Sequence, residues 1–188
     1  MSLTVEPSKS TGLIQVFTGN GKGKTTAALG TAMRAIAKGW RVAFVTFDKG
    51  GTHYAEREVL ADRFDDLVDV YPTGLDRIHP ITNKFRFGVT EEDRAEAERG
   101  LDIVRDLFAK GEHQLIILDE INSTTDLGML HVDRVVEVIK KKPDNVELIL
   151  TGRNCPQAFI DLADLVSDVQ LVKHYFYQGV KAREGLDF

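Results

Sequence analysis

Thr18-Gly19-Asn20-Gly21-Lys22-Gly23-Lys24-Thr25-Thr26 stands between an apolar run at 13–17 and a segment of helical periodicity at 24–38. Glycines at 19, 21 and 23 let backbone N–H groups turn toward one point without Cβ interference. Such N–H groups, joined to a helix N-terminus, make an anion site. Lys24 adds a point charge for terminal phosphates, and the Thr25 hydroxyl can ligate Mg²⁺, the division of labour in G-x-x-x-x-G-K-[ST]. The first position of that pattern is Thr18 here, so the match is one residue short. A Gly-rich turn with surface lysines is the plain alternative. The strand before and the helix after favour the phosphate site.

Outward from this loop, apolar runs alternate with amphipathic segments. Strand candidates lie at 13–17, 42–47, 67–70, 115–118, 146–150 and 166–172. Several are short, continuous and rich in Val, Ile and Leu, as strands covered on both faces should be. The first helix, 24–38, places Ala28, Leu29, Ala32, Met33 and Ile36 on one side, and Gly39 supplies a stop. Thr90-Glu91-Glu92-Asp93 reads as a capping box opening a helix with Ala97, Leu101, Val104 and Phe108 on one face. Val132, Val135, Val136 and Ile139 make another stripe, followed by Lys140, Lys141, Lys142 and the terminator Pro143. Pro156 can start a short helix through Leu162. Strands alternating with helices predict an α/β fold: a mostly parallel sheet of about six strands flanked by helices, with right-handed crossovers. Ligands of such sheets bind beyond the carboxyl ends of the strands.

Leu115-Ile116-Ile117-Leu118-Asp119-Glu120 is an apolar strand candidate ending in two acids, which resembles a Walker B segment. Acids at that strand end would lie beside the phosphate loop and hold Mg²⁺ directly or through water. Many buried strands end in an acid, so this signal gains its weight from the loop earlier in the chain.

Composition bounds the function classes. The chain has 188 residues, 43% apolar and 28% charged, which suits one soluble domain at 13–188 behind a flexible N-terminal arm at 1–12. A net charge of −5 argues against a nucleic-acid binder. No apolar run approaches the roughly 20 residues needed to span a bilayer, and the polar start lacks a signal core. The single cysteine, Cys155, fits a reducing compartment, so a cytoplasmic location is expected.

The run Thr18 to Thr26 with Ala27 and Ala28 resembles the phosphate loop of the ATP:corrinoid adenosyltransferases of the cobalamin-salvage type. The resemblance continues through Leu118-Asp119-Glu120, Thr151-Gly152-Arg153 and Leu162-Ala163-Asp164. It ends in Val172-Lys173-His174, Gly179-Val180-Lys181-Ala182 and Gly185-Leu186-Asp187-Phe188, the part that generic P-loop ATPases do not share. It implies a RecA-like P-loop fold, a homodimer and a flavoprotein as candidate reductant. It also implies ATP as co-substrate, Mg²⁺, and a cobalamin or other corrinoid as substrate. In such enzymes cob(I)alamin attacks the 5′ carbon of ATP and triphosphate leaves, with ATP seated in reverse polarity relative to ordinary P-loop enzymes.

By that resemblance, Lys24, Thr25 and Glu120 are the candidate catalytic residues, and Thr25 and Glu120 the candidate metal ligands. Nucleotide and corrinoid binding is expected from Gly19, Asn20, Gly21, Lys22, Gly23, Lys24, Thr25, Thr26, Arg34 and Phe87. Arg34 reads equally well as a solvated helix cation. The family often carries a Phe and a Trp under the corrin, where they displace its lower ligand. Phe87 aligns with the Phe, but Val89 stands where the Trp is expected. Either Phe85 and Phe87 do the displacing, or activation differs.

Other residues read more blandly. Lys49, after the second strand candidate, could meet phosphate or a corrin side chain, or sit in a plain turn. His174 suits a structural hydrogen bond better than catalysis. His53, His79, His113 and His131 lack metal-ligand spacing. Tyr175, Phe176 and Tyr177 fit either a corrin site or a dimer contact. Two rival functions stand beside adenosyl transfer: a phosphoryl-transfer enzyme or ATPase, and a non-catalytic corrinoid and nucleotide carrier.

Overall fold

A computed structural model describes residues 12–52, 54–77 and 86–187. The arm expected at 1–12 therefore lies outside the described residues except for Gly12, as do His53, His79 and Phe85. The strands are β1 (Ile14–Thr18), β2 (Val42–Thr46), β3 (Val68–Pro72), β4 (Leu115–Asp119), β5 (Glu147–Thr151) and β6 (Leu165–Asp168). The helices are α1 (Lys24–Ile36), α2 (Ala55–Arg63), α3 (Glu91–Lys110), α4 (Ile121–Asp126), α5 (Val132–Ile139) and α6 (Gln157–Ile160). The sheet order is β3-β2-β4-β5-β1-β6, and every strand pair is parallel. This is the RecA-like P-loop arrangement of an α/β fold.

The period-two alternation of side chains divides each strand between two cores. Val16, Val45, Ile116, Leu118, Leu148 and Leu150 pack with Leu101, Val104 and Leu107 of α3 and Val135, Val138 and Ile139 of α5. Phe44, Leu115, Ile117 and Ile149 pack on the other side with Ala28, Ala32, Ala35 and Ile36 of α1 and Leu60 of α2. Burying each large aliphatic side chain contributes roughly 1.5–3 kcal/mol. Both faces of β2, β4 and β5 are covered, which is why these strands read as continuous apolar runs, whereas the edge strand β6 is largely exposed.

Several sequence expectations shift. Met33 was expected on the buried side of α1, yet it is 46% exposed and lines the main cleft; Ala35 takes its place in the core. β6 ends at Asp168 rather than at 172, because the chain leaves the sheet edge and crosses the phosphate loop: the Gly21 N–H donates to the Val169 carbonyl at 2.7 Å. α2 escaped the periodicity reading because Leu60 is its one buried residue, too little for an apolar stripe. α4 is short and polar, and it hangs on the sheet through Ile121.

The capping box is present. The Asp93 N–H donates to Thr90 Oγ1 at 3.3 Å, and the Thr90 N–H donates to Asp93 Oδ2 at 2.8 Å. Asp93 also accepts a two-pronged pair from Arg86 at 2.6 and 2.7 Å, which ties the segment before α3 to the helix. These bonds, Arg86 foremost, hold the buried Asp93 carboxyl far below the usual carboxylate range although desolvation opposes them.

A depressed folded pKa makes the Asp93 contribution complete above the unfolded value near ~4, and acid removes it. Asp93→Asn should therefore cost about 1.5–3 kcal/mol at pH 7, as loss of hydrogen bonds to a charged group does. The difference from wild type should shrink below pH ~4. Urea unfolding of both proteins across pH measures it, and a difference that does not vary with pH would contradict the assignment.

Candidate active site

The sheet order brings three strand ends together. β5 lies between β1, which feeds the phosphate loop, and β4, which ends in the acids. Thr151, the last residue of β5, donates its hydroxyl to Asp119 Oδ1 at 2.6 Å and accepts from the Glu120 N–H at 3.0 Å. Thr25, at the start of α1, donates to the same Asp119 oxygen at 2.9 Å. The loop and the acidic strand end are thus joined through one buried carboxylate.

The loop itself is shaped by close approach. Gly19 has φ 97, a left-handed conformation that strains other residues. A Cβ on Gly21 would lie 2.7 Å from the Gln170 carbonyl oxygen and 2.8 Å from that of Val169. Glycine is required there because the segment after β6 presses on the loop. Lys24 is 7% exposed, and its ammonium donates to the Gly19 and Gly21 carbonyls at 2.8 Å each. Burial pulls the Lys24 pKa below the ordinary lysine value, with Glu120 acting the other way. A bound polyphosphate offers anionic oxygens in exchange for those neutral carbonyls, a stronger partner for a desolvated cation.

Glu120 is one of three non-glycine residues with positive φ among the described residues, at φ 65. A residue held there costs of order 1–3 kcal/mol, so its neighbours must enforce the conformation. The Thr151 hydroxyl takes its N–H, and Ser123 donates to Glu120 Oε2 at 2.6 Å. Lys49 completes the cluster. Its ammonium donates to Asp119 Oδ2 at 2.5 Å and to Thr25 Oγ1 at 3.3 Å, and lies 3.8 Å from Glu120 Oε1. Burial opposes its charge, but Asp119 and Glu120 prevail and leave the Lys49 pKa raised.

Among the described residues, no three His, Cys, Asp or Glu side chains form a cage able to hold a metal alone. A magnesium nucleotide needs no such cage, because Mg²⁺ takes one or two protein oxygens and fills its shell with phosphate and water. The Thr25 hydroxyl and the two carboxylates are hard oxygen donors already gathered around a cation, Lys49 Nζ. They fit such an ion. Asp119 joins the expected pair, Thr25 and Glu120, as the acid that bonds Thr25 directly.

A cleft of about 690 Å³ opens over the loop. Asn20, Gly21, Lys22, Gly23, Lys24, Thr25, Thr26 and Glu120 line it, so most of the expected residues meet there. Arg34 is exposed in the last turn of α1, and Gly19, Arg34 and Phe87 are not among the lining residues. Phe87 is 85% exposed, while Val89, where the family often has Trp, packs against the core. The sequence reading missed Tyr54, Arg153 and Asp187 as cleft residues. Asp187 pairs with Lys22 and accepts from the Arg183 N–H at 2.9 Å, which seats the C-terminal segment on the loop. His174 Nδ1 accepts from the Phe176 N–H at 3.1 Å, the structural bond expected of it. Burial pushes the Cys155 thiol up to about 12, away from reactivity. His113 is buried against Asp69 at 2.7 Å, at the opposite end of β4 from Glu120.

A model of the family described as ATP:corrinoid adenosyltransferase BtuR/CobO/CobP matches residues 10–188. This chain belongs to that family. Corrinoid adenosyltransferases of Sinorhizobium sp. and of Escherichia coli K12 are each 36% identical to it, over 94% of this chain and 80% and 86% of their own lengths. An uncharacterized protein of Nostoc is 40% identical over 93% of this chain, which spans about half (48%) of that relative's length. No described helix is long and apolar enough to cross a membrane.

Gly21→Ala should weaken ATP binding by about tenfold or more, because the added carbon meets two backbone carbonyls (tenfold is about 1.4 kcal/mol). Nucleotide titration followed by intrinsic fluorescence or calorimetry measures it; wild-type affinity would show that the segment after β6 yields freely.

Proposed function

We propose that this chain transfers the 5′-deoxyadenosyl group of ATP to the cobalt of a reduced corrinoid and releases triphosphate. The observation that carries the reading is a phosphate loop coupled through Asp119 to an acidic strand end, in a chain of the ATP:corrinoid adenosyltransferase family. The family and the relatives' names supply the substrates, and the cleft supplies a place for the polyphosphate.

Charge builds on the triphosphate as its bond to the ribose carbon breaks. The loop N–H groups other than that of Gly21, which the Val169 carbonyl takes, and the Lys24 ammonium, once nucleotide binding has drawn it from the Gly19 and Gly21 carbonyls, would stabilise that charge. Thr25, Asp119 and Glu120 would hold Mg²⁺, which supplies further neutralisation of the leaving group. Lys22, Thr26 and Asn20 line the same cleft and orient the polyphosphate. Tyr175, whose hydroxyl accepts from Lys22 of the loop at 3.3 Å, and Phe176 also line the cleft and offer aromatic rings to the adenosine or the corrin edge. Phe87, exposed ahead of α3, is the residue we assign to the lower face of the corrin, with Arg34 an outlying cation. The resemblance further supports a homodimer, a flavoprotein reductant and a cytoplasmic location, with the single cysteine in keeping with the last.

Incubation with ATP, Mg²⁺ and chemically reduced cobalamin should yield adenosylcobalamin and triphosphate. ADP with an unchanged corrinoid would sink the proposal in favour of phosphoryl transfer, and tight binding of both ligands without turnover in favour of a carrier. Lys24→Ala should lower turnover by roughly 10²–10³, as removal of one charge-stabilising donor does elsewhere; turnover within twofold of wild type would remove Lys24 from the mechanism. Phe87→Ala should impair the route from cob(II)alamin and spare chemically reduced cob(I)alamin. Equal losses by both routes would reject its lower-face role.

A further inference from the structure

Lys49 is placed with unusual firmness for a residue in a loop. It lies three residues past the end of β2, where the Phe47 N–H donates to the Asp119 carbonyl at 2.8 Å and the Lys49 N–H donates to the Thr73 carbonyl at 3.2 Å. Asp48, between them, sits at φ 50 and is gripped by Arg77 Nε at 2.7 and 2.9 Å. The backbone is therefore pinned on both sides of the turn. The side chain is only 14% exposed and runs past the Tyr54 ring, 5.6 Å from its centroid, to the acids. Its three oxygen partners are Thr25 Oγ1, Asp119 Oδ2 and Glu120 Oε1. They are the oxygens that fit a divalent ion.

We propose that Lys49 is a tethered counter-cation of the metal site, which holds the position of the divalent ion until a metal nucleotide displaces it. The inference goes beyond the proposed reaction and deepens it by assigning an order: metal enters with nucleotide rather than ahead of it. Two cations cannot share so small a set of oxygens. An ion arriving alone must expel the ammonium and leave it unpaired at a desolvated position, where a lone charge is costly. An ion arriving with ATP brings phosphate oxygens, and Lys49, itself a lining residue of the cleft, finds a new partner there. A magnesium nucleotide therefore binds where the bare ion does not, a positive coupling between the two ligands.

The test uses the full chain without nucleotide, so it is independent of whether adenosyl transfer occurs. Mn²⁺ binding is read by electron paramagnetic resonance, and thermal unfolding is compared in chelator and in millimolar Mg²⁺. Lys49→Met and Lys49→Gln should each bind Mn²⁺ about tenfold or more tighter than wild type, since nothing then competes for Thr25, Asp119 and Glu120. In chelator each variant should melt about 5–10 °C below wild type, because the buried Asp119 loses its counter-charge. Mg²⁺ should restore most of that loss while leaving wild type unmoved. Equal Mn²⁺ affinity in the three proteins would overturn the proposal, as would a Tm loss that Mg²⁺ does not repair. Failure of both variants to fold even in Mg²⁺ would also overturn it, because the ion would then not substitute for the ammonium.

Discussion

The buried carboxylate of Asp119 is the constraint around which the site is organised. It is fully shielded from solvent, and an ionised carboxylate there is unfavourable unless its oxygens are bonded and its charge balanced. Three elements meet that demand: Thr25 from the start of α1, Thr151 from the end of β5 and Lys49 from the turn after β2. None of them is near Asp119 in sequence. The phosphate loop, the acidic strand end and the second strand are consequently fixed to one another, and the cleft inherits its geometry from that junction.

Glu120 carries the local consequence. The chain must turn immediately after β4 to start α4, and it does so with Glu120 in the left-handed region. The Thr151 hydroxyl and Ser123 hold it there, while the Thr124 N–H donates to its carbonyl at 2.9 Å. The turn leaves two consecutive carboxylates within reach of one cation, Lys49 Nζ. Such strain is tolerated where the surroundings over-determine it, which is common at functional sites.

The C-terminal segment explains how a general phosphate loop is made particular. After β6 the chain crosses the loop at Val169 and then folds back so that His174, Tyr175, Phe176 and Asp187 wall the cleft. The Lys22–Asp187 pair closes that wall onto the loop. In the sequence these residues appeared as family motifs without a contact to explain them. In the structure they bound the cleft above the loop, and the glycines at 19 and 21 are the other half of the same fit.

Local chemistry made much of the protein legible from sequence. Apolar runs, several of them continuous in Val, Ile and Leu, marked the six strands, Thr90 and Asp93 marked the start of α3, and the glycines at 19, 21 and 23 marked the turn between β1 and α1. Each of these depends on neighbours a few residues away, which a linear pattern encodes. The tertiary structure alone decided that β5 separates β1 from β4, that Met33 faces the cleft, and that β6 stops short to release a strap over the loop. It also decided which acid bonds which hydroxyl. Thr25 and Asp119 lie 94 residues apart, and Lys49 and Asp119 lie 70 apart. Contacts at such separations follow from the order of strands in the sheet, and periodicity along a single chain carries no record of that order.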